Sequence, residues 1–133
     1  MSHESPVLRT QDARGVITLT LNRPKAFNAL SQAMLEAMQA EIDRVATDET
    51  ARVVVIAAAG RAFCAGHDLK EMRAQPTLAY QERLFAQCAH MMLSLQRLSV
   101  PVVARVHGMA TAAGCQLVAM CDLAVAASDA QFA

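Results

Sequence analysis

A mixed α/β fold with largely parallel strands is predicted by three features of the sequence. Short β-branched runs recur along the chain, helical apolar stripes separate them, and loops of small residues follow the runs. Residues 7–11 and 16–21 read as strands around the turn Asp12-Ala13-Arg14-Gly15. Ile17, Leu19 and Leu21 alternate with Thr18 and Thr20, the period of a half-buried strand. Asn22-Arg23-Pro24 breaks that strand. Ser31 is placed to cap a helix running to about Ala46. Leu35, Met38, Ile42 and Val45 form its apolar stripe.

Residues 53–59, Val-Val-Val-Ile-Ala-Ala-Ala, suit a strand covered on both faces, and Gly60 ends it. A polar, glycine-containing loop leads to a long helix after Pro76, with Leu84, Cys88, Met91, Leu95 and Leu98 on its buried side. Pro101 opens a third apolar strand, 102–106, closed by His107-Gly108. A short helix is expected over roughly 113–120, then a strand at 123–127 whose aliphatic faces stay exposed. The chain stops in mid-pattern, which reads as the N-terminal part only of a longer domain filling residues 1–133.

Composition narrows the function classes. The 133 residues are 54% hydrophobic and 18% charged, and twelve basic residues balance twelve acidic ones. That balance lacks the basic footprint of a nucleic-acid binder. The longest apolar run is too short to cross a bilayer, and the polar first ten residues carry no apolar core of a secretory signal. No partner nucleic acid and no membrane are expected. Cys64, Cys88, Cys115 and Cys121 lie in apolar stretches without a C-x-x-C pair, so all four read as small core residues of a protein in a reducing, cytoplasmic setting.

Two loops hold the chemistry-bearing pattern: Gly60-Arg61-Ala62-Phe63-Cys64-Ala65-Gly66-His67-Asp68-Leu69-Lys70, and His107-Gly108-Met109-Ala110-Thr111-Ala112-Ala113-Gly114-Cys115-Gln116. Each follows a buried strand, where ligands of α/β sheets bind. Small residues let a ligand approach the main chain, and a helix starting near Ala113 offers free N–H groups to a developing anion. This supports an anion or oxyanion site. Tight turns packed with small residues explain the same pattern.

Three blocks decide between them: Asn22-Arg23-Pro24-Lys25-Ala26-Phe27-Asn28-Ala29-Leu30, Ala62-Phe63-Cys64-Ala65-Gly66-His67-Asp68-Leu69, and Ala112-Ala113-Gly114-Cys115-Gln116-Leu117 with Cys121-Asp122. Their order and spacing resemble the enoyl-CoA hydratase/isomerase (crotonase) family, closest to the hydratase-domain-containing subgroup. The resemblance implies a spiral of β-β-α units, an acyl-CoA thioester as partner, and a homotrimer or hexamer at full length. It implies no separate cofactor, since coenzyme A enters as part of the substrate, and no metal. The oxyanion donors would be the backbone N–H groups of His67 and Ala113. Lys25, Ala26 and Phe27, with Cys64, Ala65, Gly66, Asp68, Leu69 and Gly114, would cradle substrate and coenzyme A.

Arg23 and Lys25 could meet phosphates, though a solvated face explains them as well. Asp68 is expected to fix its loop through local backbone hydrogen bonds. The His67 imidazole could be a catalytic group or ligand, but no second ligand lies at metal-like spacing. The family's first catalytic glutamate falls on Gln116, and an amide cannot take a proton at neutral pH. The expected function is therefore an enoyl-CoA hydratase/isomerase-like enzyme, a lyase or isomerase of reduced hydratase power. The alternative is a non-catalytic acyl-CoA-binding protein.

Overall fold

The computed structural model describes residues 4–133. Strands β1 (Val7–Gln11) and β2 (Val16–Leu21) form an antiparallel hairpin. Its turn is held by the Asp12 carboxylate, which accepts the N–H groups of Arg14 (2.8 Å) and Val16 (3.0 Å). Helix α1 (Gln32–Ala46) returns the chain to β3 (Val53–Ala58), which lies parallel to β2. Helices α2 (Leu69–Ala74) and α3 (Leu78–Gln96) then lead to β4 (Val102–Val106), parallel to β3. After β5 (Met109–Ala110) and α4 (Ala113–Ala119) come β6 (Leu123–Ala126), parallel to β4, and β7 (Gln131–Phe132), parallel to β5. The main sheet has the order β1-β2-β3-β4-β6.

The core follows from the two periodicities. Ile17, Leu19 and Leu21 of β2 are fully buried while their neighbours are half-buried. The stripe of α1 is buried as expected, joined by Met34, and Ser31 caps it by accepting the Met34 N–H at 3.1 Å. Leu84, Cys88, Met91 and Leu95 of α3 meet the same core.

Several expectations are corrected. β3 ends at Ala58, one residue early, and its Val53 and Val55 are only half-buried, so the apolar run is less covered than its composition predicted. Leu98 lies beyond the end of α3. The short helix ends at Ala119 with Met120 as its cap. α2 was missed: it buries no residue, so no apolar stripe announces it. Its signal was local, an Asp68 cap that accepts the Glu71 N–H at 3.1 Å. On β6, Leu123 and Val125 are each 64% exposed, in agreement with the sequence reading.

Among the cysteines, Cys64 and Cys88 are buried and Cys121 is half-buried but packed against the core, whereas Cys115 is half-buried outside it, so the core reading fails for Cys115. Cys115 and Cys121 stand on and just after α4, whose covered side belongs to Ala113, Gly114 and Leu117. Burial pushes the Cys64 thiol up to about 11 and the Cys121 thiol up to about 12. Below those values the reactive thiolate is scarce. At pH 8, iodoacetamide should therefore modify Cys115 first, with Cys64 roughly tenfold or more slower. Peptide mapping of a time course checks this, and equal rates would contradict the packing around Cys64.

Candidate functional site

Both small-residue loops leave the carboxyl ends of parallel strands, β3 and β4, and are bound together along their length. Met109 O accepts the N–H groups of Phe63 (2.9 Å) and Cys64 (3.1 Å), and Thr111 N–H donates back to Cys64 O at 3.0 Å. His107 Nε2 reaches the Gly60 carbonyl at 2.6 Å. The glycines make this closeness possible. A Cβ on Gly114 would run into the Cys64 carbonyl, and one on Gly108 into that of Arg61. Gly114→Ala should thus cost about 1–3 kcal/mol through overpacking. An unchanged denaturant midpoint would show that the loops are not in contact there.

The same approach brings the two proposed donor residues into one place. A Cβ on Gly66 would lie 3.3 Å from Ala113 N and 3.1 Å from the Ala112 Cβ. Gly66, the residue before His67, therefore lies directly against the start of α4. Neither the His67 nor the Ala113 N–H has an acceptor among the described residues. Ala112, just before α4, holds φ 52° and ψ −124°, a strained conformation for a residue with a Cβ. Gln116 stands one helical turn after Ala113, exposed, and its side-chain amide has no protein partner among the described residues.

A third segment completes the site. Ala65 N–H donates to Phe27 O at 3.0 Å, Leu30 N–H to Gly66 O at 2.7 Å, and the Cys64 thiol to Asn28 O at 3.2 Å. Phe27, Arg61, Ala62, Ala65, Met109 and Thr111 line a cavity of about 400 Å³. Lys25 and Ala26 line a neighbouring one of about 360 Å³ with Glu4, Asn22, Arg23 and Pro24. Phe27 is 51% exposed, so a large apolar ring stands open to a ligand. Sequence reasoning missed Arg61, Ala62, Met109 and Thr111 as cavity walls. All four lie inside the two small-residue loops, but no spacing rule marks which of their side chains turn toward the cavity.

The remaining site residues have defined surroundings. Burial tends to raise the Asp68 carboxyl's pKa, but the Glu71 N–H and the Arg23 guanidinium outweigh it and hold the group below the usual carboxylate range. Arg23 Nη1 pairs with Asp68 Oδ2 at 3.2 Å, so this cation is already engaged within the protein. Lys25 has no ion-pair partner among the described residues. Leu69 is 68% exposed at the start of α2. The His67 ring packs edge-on against Phe85 of α3, with centroids 5.1 Å apart. Burial lowers its pKa against the opposing pull of the Leu30 carbonyl, which favours the neutral imidazole at neutral pH. Glu71 Oε1 accepts from Gln32 N–H (2.7 Å) and from the Tyr80 hydroxyl (3.1 Å), joining α2 to α1 and α3 beneath this loop.

The fold and the paired loops are those of a defined group of proteins: residues 11–133 match the enoyl-CoA hydratase/isomerase family, and the chain belongs to it. Among individual relatives, it is 44% identical over 129 residues to enoyl-CoA hydratase domain-containing protein 3, mitochondrial, of Xenopus laevis, covering 97% of this chain and 44% of that one. It is 40% identical to the 2,3-dehydroadipyl-CoA hydratase of Escherichia coli, covering 88% and 45%. A crystal structure of enoyl-CoA hydratase from Mycobacterium smegmatis superposes with a TM-score of 0.96 at 65% identity, covering 98% of this chain and 51% of that one. That of human enoyl coenzyme A hydratase domain-containing protein 3 gives 0.91 at 41% identity, with 96% and 50% covered. The chain thus spans about half the length of these relatives, consistent with the N-terminal part of a crotonase-like domain. The cytoplasmic expectation is corrected: the relatives from Xenopus laevis, Rattus norvegicus and Homo sapiens are named as mitochondrial.

Proposed function

We propose that the chain binds an acyl-CoA thioester and stabilises its enolate with the backbone N–H groups of His67 and Ala113. The supporting observation is the close approach of Gly66, the residue before His67, to Ala113 N, with neither the His67 nor the Ala113 N–H bonded to an acceptor among the described residues. Hydration or α-proton removal puts negative charge on the thioester oxygen. Two fixed donors aimed at that charge need not reorganise during the reaction. The cavity walled by Phe27, Ala65 and Thr111 accepts the pantetheine end. Lys25 and Ala26, with Cys64, Gly66, Asp68, Leu69 and Gly114 of the two loops, complete the cradle. At full length the protein assembles as a homotrimer or hexamer.

The relatives' names place hydratase chemistry on CoA thioesters within the family. Gln116 favours a second reading, a binder without turnover, because an amide is no proton acceptor at neutral pH. Calorimetry with coenzyme A and turnover of crotonyl-CoA by the full chain separate the two. Binding with turnover supports an enzyme, binding alone supports the second reading, and absence of both removes the proposal.

A further inference from the structure

Asn28 is fully buried, and Ser31, its neighbour among buried polar residues, is accounted for as the cap of α1. A buried amide is costly unless each of its groups finds a partner. Here each does. Nδ2 donates to Ala59 O at 2.8 Å and to Ala62 O at 2.9 Å, while Oδ1 accepts the Arg23 N–H at 2.8 Å. Two carbonyls on one side demand two N–H donors, and the Arg23 amide demands an acceptor. A short amide side chain supplies that set, whereas a carboxylate, hydroxyl or alkyl group does not. Its backbone stands at φ 55°, a left-handed conformation that asparagine tolerates better than most residues.

The placement matters as much as the bonding. Ala59 and Ala62 bracket the turn that opens the first loop, and Phe27, just before Asn28, walls the cavity. Asn28 O also receives the Cys64 thiol, and the flanking Phe27 O and Leu30 N–H bond Ala65 and Gly66. The coenzyme A segment and the segment ending at His67 are therefore zipped together, with the Asn28 side chain locking the upstream end of the zip.

From this we infer that Asn28 is a positioning residue that couples the coenzyme A cradle to the donor amide of His67. The inference rests on the enolate-stabilising reading above. Asn28 touches no substrate itself. Its amide sets where the His67 N–H stands relative to a thioester anchored at Phe27.

Cinnamoyl-CoA, a conjugated probe whose near-ultraviolet band moves to longer wavelength when its carbonyl is polarised, tests this in the full chain. Wild type should bind it with a red shift. Asn28→Gly keeps the left-handed backbone and removes only the clamp. It should bind the probe with Kd changed less than about tenfold, yet lose at least half of the shift. A merely structural role would lower the melting temperature and leave the shift of the folded fraction intact, and that result overturns the inference. If wild type neither binds nor shifts the probe, the functional reading fails and the coupling role falls with it. A shift equal in both proteins removes the coupling role alone.

Asn28→Asp, which keeps the acceptor and lacks both donors, should behave as the glycine variant does. Should neither variant fold, Asn28→Ser, which keeps one donor, is read with the same probe: a shift at least halved in the folded protein supports the inference, and a full shift overturns it.

Discussion

Turnover of an enoyl-CoA should fall by about 10²–10³-fold in His67→Pro, the loss expected when one oxyanion donor is removed. Proline lacks the N–H and leaves the rest of the peptide in place. The substitution breaks no main-chain hydrogen bond, because the His67 N–H has no acceptor among the described residues and the bridge to Leu30 uses Gly66 O. The imidazole's contacts with the Leu30 carbonyl and Phe85 are lost equally in His67→Ala. Gly66, at φ +90°, has the conformational freedom needed ahead of a proline. His67→Ala, which keeps the donor, should lose far less. Steady-state kinetics on variants with native-like circular dichroism measure both. A folded proline variant that turns over at the wild-type rate would remove His67 from the donor pair.

The second large effect runs the other way. Gln116→Glu should raise hydration of crotonyl-CoA by about 10²-fold, the lower end of what general acid–base help contributes. The position is exposed and one turn from Ala113, so a carboxylate there meets no burial penalty from the protein. The gained rate should follow the deprotonated form. It is present above the carboxyl's pKa and lost as the pH falls through it. No gain at any pH would mean that residue 116 does not face the thioester.

Much of this molecule was legible in residue order. The Thr–Leu alternation of β2, the stripe of α1 and the Ser31 cap each reflect a local rule that tertiary packing obeyed. What stayed hidden depended on other segments. Nothing near Val53 and Val55 reveals how much of their face a neighbour covers, and α2 has no buried side for periodicity to detect. At the site, the motif blocks pointed to the donor loops, yet the role of Asn28 was invisible. Its three partners are main-chain atoms of Arg23, Ala59 and Ala62, and only folding brings the last two beside it.

Ala112 stands at a backbone angle that a residue with a Cβ adopts only under compulsion, immediately ahead of a proposed donor. Swapping in glycine would relieve that tension and make the molecule sturdier, while letting the Ala113 amide wander. Durability and aim are thus set against each other at a single methyl group. A hunt for heat-tolerant variants would drift toward the relaxed form and away from a well-directed amide.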